Sequence, residues 1–404
     1  MKILITAAGS YGDIAPYTGL GAHLATAGHD VTLAAHDTFE HLARGSGLRF
    51  CSLPADSGTS GPAASRKDLI RAASAFVRRL GAGVADAAAE GADLLVLSTT
   101  TAPLGWQLAE AMDVPTLGAY LQPAHPTRAF APVVSGGRSL GAWGNRAAGR
   151  FSLRVVDRVY ADAIRELRAR LGLPAAAPAA IRARQEAGRR PVLHGFSPAV
   201  VPRPADWRDG LDVVGNWWPH LADGARLPTT VEEFLDDGPP PVFIGFGSMA
   251  AGEGERLSDL AVAALRRAGL RGVLQTGRAG LDATGDGVLT VGELPHALLF
   301  PRMAAVVHHA GAGTTAAGLR AGVPAVPVPV AADQPFWAAR LTALGAAPAP
   351  VPFKKLTAER LADALTRAVH DGTHAAAAQA VARVMATEDG AGQVLKAAER
   401  IGRA

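Results

Sequence analysis

Apolar residues along this chain fall into short continuous runs, separated by stretches with helical spacing. Ile3-Leu4-Ile5 is a run suited to a buried parallel strand. The turn Gly9-Ser10-Tyr11-Gly12-Asp13 follows. Tyr17 to Ala27 then carries apolar residues at helical spacing until Gly28 stops it. Val31 to Ala35 is the next strand, so the order strand–turn–helix–strand predicts a βαβ unit and a parallel sheet. Leu94 to Leu97 and Pro115 to Ala119 repeat the strand signal around a helix over Ala102 to Met112. Helical periodicity returns over 151–172, and Pro174 to Arg190 reads as an Ala/Pro-rich loop and helix.

A second array begins after Asp237-Gly238-Pro239-Pro240-Pro241. It predicts strands at Val242–Phe246, Gly272–Gln275, Ala304–Val307 and Ala325–Pro329, with helices at Leu257–Ala268 and Thr314–Ala321. Closing helices are predicted at Thr357–Leu365 and Val381–Arg400, the latter interrupted at Gly390 and Gly392. The fold class is therefore α/β: two Rossmann-like domains facing each other across a cleft. The halves join near Trp217-Trp218-Pro219, giving domains of 1–222 and 223–404, with the last helix packing back on the first domain. Open α/β sheets bind ligands beyond the C-terminal ends of their strands.

Composition narrows the picture. The 404 residues suit about two to three domains, with enough core to fold without disulfides or structural metal. The single cysteine, Cys51, excludes an intramolecular disulfide and a zinc site built on several thiolates. With 49% hydrophobic and 19% charged residues, disorder along the whole chain is excluded. The net charge of +4 is small and dispersed, and no nucleic-acid signature accompanies it. No apolar run approaches the ~18 residues of a membrane span, and no cleavable signal peptide is expected before the first strand. The expected location is the cytoplasm. Pro54 to Ser65 reads as a mobile loop.

The strongest local feature is His308-His309-Ala310-Gly311-Ala312-Gly313-Thr314-Thr315, after a strand and opening a helix. Glycines let backbone N–H groups approach an anion, and the helix N-terminus adds partial positive charge. The pattern reads as a phosphate site or, more blandly, as a glycine-rich turn with partly buried histidines. It is not a Walker A loop, and the first turn is a poor match to G-x-G-x-x-G, which disfavours a nicotinamide enzyme. Asp13 is either a base in the cleft or a helix N-cap. Asp333-Gln334 puts a carboxylate and an amide at the sheet edge, or forms an ordinary polar turn. His296, in Gly292-Glu293-Leu294-Pro295-His296, is a ligand-facing or a structural histidine. No metal-ligand spacing occurs, and adjacent His308 and His309 on a strand would face opposite ways.

Taken together, the first turn, Gly245-Phe246-Gly247-Ser248-Met249, His308–Thr315 and Asp333-Gln334-Pro335-Phe336 resemble the family 1 nucleotide-sugar-dependent glycosyltransferases of GT-B architecture. Leu121-Gln122-Pro123, Pro126-Thr127-Arg128, Gly195-Phe196-Ser197-Pro198 and Pro202-Arg203-Pro204 are similar to bacterial sterol 3β-glucosyltransferase-like enzymes. The chain also resembles the transferases that decorate antibiotics. The resemblance implies an inverting hexosyl transfer from a UDP- or dTDP-sugar, with no metal and no cofactor. Asp13 would be the general base, and Ser10 would orient it or the acceptor. Gly12, Ser248, His309, Gly311, Ala312, Gly313 and Thr314 would face the diphosphate. Asp333 and Gln334 would hold sugar hydroxyls, and Leu294 and His296 would lie at the nucleobase edge. Plant relatives stack a tryptophan on uracil near here, but no tryptophan occurs between Trp218 and Trp337, so the nucleotide stays open.

The acceptor is expected in the N-terminal half. Phe76, Trp106, Tyr120, Phe130 and Trp143 are each a pocket wall or part of the core. Together with the Pro54–Ser65 loop and the Arg128–Gly149 segment as lids, they suit a flat hydrophobic alcohol or phenol: a sterol, polyketide or aromatic compound. A monomer or homodimer without stable membrane insertion is expected, with no nucleic-acid partner. Two alternatives stand beside the transferase. One is a catalytically silent relative that binds a partner enzyme. The other is a lipid transferase at a membrane surface, for which Arg71, Arg78 and Arg79 form either a basic patch or a solvated helix face.

Overall fold

The computed structural model describes residues 1–54, 66–247, 252–283 and 285–403. Strands β1 (Lys2–Thr6), β2 (Asp30–His36), β3 (Arg49–Leu53), β4 (Leu94–Leu97), β5 (Thr116–Tyr120), β6 (Val192–His194) and β7 (Leu211–Val213) build the first sheet. It is parallel throughout, in the order β3-β2-β1-β4-β5-β6-β7. Its helices are α1 (Tyr11–Thr26), α2 (Glu40–Gly45), α3 (Arg66–Ala87), α4 (Ala102–Met112), α5 (Gly141–Arg170) and α6 (Pro178–Ala187).

The second sheet is also parallel: β8 (Val242–Gly245), β9 (Gly272–Gln275), β10 (Val288–Val291), β11 (Ala305–His308) and β12 (Ala325–Pro327), in the order β10-β9-β8-β11-β12. Its helices are α7 (Thr229–Asp236), α8 (Gly254–Ala268), α9 (His296–Leu299), α10 (Ala312–Arg320), α11 (Gln334–Ala343), α12 (Ala358–His370), α13 (Gly372–Met385) and α14 (Gly390–Gly402). Each sheet changes direction beside its first strand, at β1/β4 and at β8/β11. A crevice opens at such a switch point, beyond the strands' C-terminal ends.

The central strands explain the parallel sheets. Ile3, Leu4 and Ile5, and Leu94 to Leu97, are buried on both faces, which favours continuous apolar runs over alternation. The halves share an apolar interface. Phe336, Trp337, Ala316 and Leu319 of the second half pack in one core with Phe196, Val200 and Tyr120 of the first. Arg340 donates to the Val200 carbonyl at 2.8 Å, and the Arg320 guanidinium lies 4.4 Å over Trp218. Helix α14 lies against α1, where Val394, Ala397 and Ala398 are buried with Leu20 and Leu24.

Three readings change. Helix α1 begins at Tyr11 rather than Tyr17, because Ser10 caps it and Asp13 answers the cap from the third helical position. Asp13 is therefore not the N-cap itself. The Val381–Arg400 stretch is two helices, α13 and α14, in keeping with the interruption expected at Gly390 and Gly392. They are split before Gly390, where the Asp389 side chain accepts the Gly392 N–H at 2.9 Å. Strands β3, β6, β7 and β10 join the strands that the apolar runs predict. Residues 55–65 of the predicted Pro54–Ser65 loop lie outside the described residues, as do Ser248 and Met249. Among the described residues, no helix is long and apolar enough to cross a membrane.

Candidate active site

The site is assembled from the turns that leave the inner strands of both sheets. After β1, the backbone at Gly9 has φ +145°, and a Cβ there would stand 2.4 Å from Asp13 Oδ2. Only glycine leaves room for that carboxylate. Asp13 Oδ2 accepts both the Ser10 N–H and the Ser10 hydroxyl, each at 2.8 Å. Ser10 thus holds the Asp13 carboxylate in one orientation. Burial raises the Asp13 pKa, and the two bonds from Ser10 oppose that rise. The carboxyl is thereby tuned toward taking up a proton.

Asp13 lines a cavity of about 380 Å³ set wholly within the first half. Trp106, Tyr120 and Phe130 line it too. Phe76 instead packs in the core beside Leu80 and Val84 and does not line the cavity. Trp143 is 81% exposed, with the Arg128 guanidinium 5.1 Å over its ring, and is not a wall residue either. Val134 and Val156 line the cavity and remain exposed at its rim. Of the predicted lid, Phe130, Val133 and Asn145 line the cavity. Sequence reasoning missed Tyr17, Tyr160, His125 and Glu186, which also line it. They come from separate helices and loops, so no local pattern marks them.

Across the cleft, His309 follows β11 between two glycines. A Cβ at Gly247 or at Gly311 would stand 2.6 Å from the His309 ring. The two glycines therefore make the slot that the imidazole fills. Burial lowers the His309 pKa to about 4, so the ring is neutral near pH 7, and its Nδ1 has no partner among the described residues. Gly311 caps α10, and the first-turn N–H groups of Ala312, Gly313 and Thr314 have no acceptor within the helix. Ala310 reaches φ +62° in this turn, and Ala332 reaches +56° just before Asp333. Both are non-glycine residues in the left-handed region, a strain that clusters at functional turns.

His308 is buried, accepts the Ala310 N–H on Nδ1 at 3.0 Å, and has its pKa lowered to about 3 by burial and by the nearby His309 and His296. His296 stacks on Phe300 at 4.2 Å and meets Phe243 edge-on, so its ring packs rather than projects. Leu294 is half-buried on the loop ahead of it. Gly12, on the first turn of α1, is exposed and has open space where a Cβ would stand.

Asp333 opens α11. Its Oδ2 accepts Trp337 Nε1 at 3.0 Å. Burial and the charge of Asp13 raise its pKa, so the two carboxyls sense each other across the cleft. Gln334 is buried, and its Oε1 accepts the N–H groups of Val330 and Ala331 at 2.8 and 3.2 Å. Its oxygen thus braces the loop. Tyr11 of α1 is hydrogen-bonded to Glu293, which raises its pKa to about 12 together with burial. Among the described residues, no group of three His, Cys, Asp or Glu side chains is arranged to hold a metal ion.

This geometry joins one activated carboxyl and an apolar cavity on one side to neutral imidazole and helix N–H donors on the other. It can remove a proton from a bound hydroxyl while receiving an anion opposite.

The Glycosyltransferase family 28 N-terminal domain matches residues 3–85, and the Erythromycin biosynthesis protein CIII-like C-terminal domain matches residues 273–401. The O-mycaminosyltylonolide 6-deoxyallosyltransferase of Streptomyces fradiae is 36% identical, over 96% of this chain and 95% of that one. A sterol 3-beta-glucosyltransferase of Arabidopsis thaliana is 31% identical, over 98% of this chain but 65% of its own length. That of Yarrowia lipolytica is 30% identical, and this chain spans 29% of it. Among solved structures, the glycosyltransferase of kitacinnamycin superposes with a TM-score of 0.73 at 17% identity, covering 99% of this chain and 98% of that one. The spinosyn rhamnosyltransferase complexed with thymidine diphosphate gives 0.68 at 19% identity, covering 99% and 100%.

Proposed function

From the premise that the chain belongs to the GT-B glycosyltransferases of these relatives, we propose that it transfers a hexose from a thymidine or uridine diphosphate sugar to a hydroxyl of a hydrophobic small molecule. The observation that carries this reading is Asp13. It lines the apolar cavity of one half and electrostatically faces Asp333 of the other.

In the proposed step, the acceptor hydroxyl lies against Asp13 and gives up its proton to that carboxylate. The acceptor oxygen forms a bond to the anomeric carbon. The bond from that carbon to the diphosphate oxygen breaks on the opposite face, so the configuration inverts. The departing diphosphate takes the electron pair. His309 and the first-turn N–H groups of α10 meet the growing charge. Because those groups supply the positive end, transfer needs no metal. Asp333 holds sugar hydroxyls. Gln334 shares in this while its oxygen braces the loop. Ser248 and Gly12 flank the diphosphate, and Leu294 with the backbone at His296 meets the nucleobase. The thymidine diphosphate held by the spinosyn rhamnosyltransferase and the O-mycaminosyltylonolide named for the Streptomyces fradiae relative favour a natural-product acceptor in this cavity.

A panel of nucleotide sugars against one promiscuous phenol and one sterol, read by mass spectrometry with chelator present, tests this. Addition of one hexose is expected. Retention of the donor unchanged defeats it and favours a silent partner protein, whereas hydrolysis without transfer shows an active donor site and defeats only the proposed acceptor class.

A second reading, transfer at a lipid surface, has one observation behind it. The exposed Val134, Leu140, Trp143 and Phe151 lie on the same stretch of chain as the exposed Arg138, Arg150 and Arg154. The helix first suspected contributes less, because Arg71 and Arg78 pair with Asp68 and Glu166. Flotation with anionic vesicles, abolished by Trp143→Ser, would support it.

A further inference from the structure

The cavity has a second polar wall that the proposed reaction does not use. His125, Glu186 and Arg208 line it along with Asp13. Their hydrogen bonds fix which atoms carry protons. His194 Nδ1 lies 3.0 Å from the Asp212 carbonyl, which can only accept, so Nδ1 bears the proton. His194 Nε2 is then a lone pair. It stands 3.4 Å from His125 Nδ1, which must therefore be the donor. The relay leaves a lone pair on His125 Nε2, and this nitrogen faces Glu186 Oε1 at 3.6 Å. Two acceptors confront each other there with no proton between them. Burial supports the assignment, since it lowers the His125 pKa to about 4 and that of His194 further still.

The other Glu186 oxygen, Oε2, accepts Arg208 Nε at 2.8 Å, so the carboxylate charge is already balanced. Asp157 and Arg182, on the same cavity wall, are likewise paired. A cation gains little at such a wall. A carboxylate or ketone would add a third acceptor to two. What fits is a neutral group that donates a proton.

We propose that His125 and Glu186 form a second acceptor subsite, which receives a neutral hydroxyl at the end of the molecule remote from the one glycosylated. This rests on the reaction proposed above for the Asp13 end. His125 packs on His194 at the end of β6, whereas Asp13 follows β1. His125 itself sits on the loop after β5, stacked on Tyr120, so two to three strand spacings, about 10–14 Å, separate the two ends. Trp106, Phe130, Tyr160, Ile164 and Ile181 line the space between. The acceptor class is thus a rigid, elongated, apolar diol rather than a sterol with a single hydroxyl.

The test uses three steroids of one skeleton: a 3,17-diol, its 17-ketone and its 17-deoxy analogue. Affinities for the full chain are measured by calorimetry. The diol is expected to bind about 10- to 100-fold more tightly than either analogue, as a hydrogen bond to a charged group implies. In Glu186→Gln, the new amide N–H donates to His125 Nε2 itself, so the preference should fall to within about twofold. His125→Phe keeps the ring stacked on Tyr120 and should erase the preference too. Equal affinities in the unaltered protein, no binding of any steroid, or a preference that survives both substitutions overturns the inference. Transfer to a simple phenol, too short to span both ends, is scored in parallel on the unaltered protein. Absent transfer with an intact diol preference counts against the proposed reaction and leaves the subsite supported.

Discussion

The two sides of the cleft are built from different materials. On the C-terminal side the chemistry is mostly backbone: free N–H groups at the start of α10, glycines that open a slot for one imidazole, and a loop braced by Gln334. On the N-terminal side it is almost all side chain: one carboxyl oriented by its own helix cap, in a cavity walled by Trp106, Tyr120, Phe130, Tyr160 and Ile181. A backbone site suits what every proposed donor shares, its diphosphate. A side-chain site can be recut for each acceptor without disturbing the other half. The contrast implies that mutations on the two sides should fail differently.

The largest effect is expected at Asp13. Asp13→Asn keeps an oxygen to accept the Ser10 N–H but removes the base. Loss of a general base lowers the rate by about 10²–10⁴-fold, most for aliphatic alcohols and least for acidic phenols. Affinity for the free nucleoside diphosphate and the melting temperature should both hold. The folded protein resists burying this charge, so neutralising it does not weaken the fold. In the unaltered enzyme, activity should fall with acid through the raised Asp13 pKa. Equal, small losses for both acceptor types would make Asp13 a capping residue alone.

His309→Ala should come next. A donor aimed at developing charge is worth about 3–4 kcal/mol at comparable sites. Here nucleoside diphosphate affinity should drop with the rate, which separates this variant from Asp13→Asn. Near-normal turnover in a folded His309→Ala protein would remove the imidazole from the anion site.

The same contrast governs what the sequence disclosed. The C-terminal site is contiguous: His308 to Thr315 is one strand–turn–helix passage, and Asp333-Gln334 is another, so periodicity and glycine spacing expose it. Both sheets were legible through their buried central strands, such as Ile3 to Ile5 and Val242 to Ile244. The edge strands were less so. Leu211–Val213 has three residues and Val288–Val291 is only half-buried, too little for a pattern. The acceptor cavity was largely hidden. Phe76 and Trp106 look alike in sequence, yet one fills the core and the other lines the cavity, a difference made by the packing of α3 and α4. The His125–Glu186 wall depends on a hydrogen-bond relay through Asp212, which no spacing rule contains.

A smaller, graded effect should separate the halves in acid. Burial holds His296, His308 and His309 at pKa values of about 4, 3 and 4, below the ordinary 6.5, and all three belong to the C-terminal half. Between pH 6.5 and about 4 the unfolded chain binds protons that the folded chain refuses. Stability therefore falls as pH drops through this range. His125 and His194 add two such groups in the N-terminal half. Hydrogen exchange at pH 5 should show α10 losing protection before α1. If α1 opens first, the three histidines are not buried neutral together.

The smallest effect is expected at Gln334, where the two materials meet in one residue. Its oxygen braces the loop by accepting the Val330 and Ala331 N–H groups, while the residue is proposed to hold the sugar. Gln334→Ala removes both. Losing the brace should lower stability by about 1–2 kcal/mol. That is a melting shift of roughly 2–4 °C for each kcal/mol in a half of this size. Donor use should fall with it. Gln334→Glu keeps acceptor oxygens for the loop and loses the N–H, so its melting temperature should return while sugar selection stays impaired. Asp333 lies beside it and already has a raised pKa, so the added carboxylate should also shift the acid limb of the rate profile upward. If Gln334→Glu restores melting and sugar selection alike, the residue acts on the sugar only through its loop, and the C-terminal side owes still more to backbone.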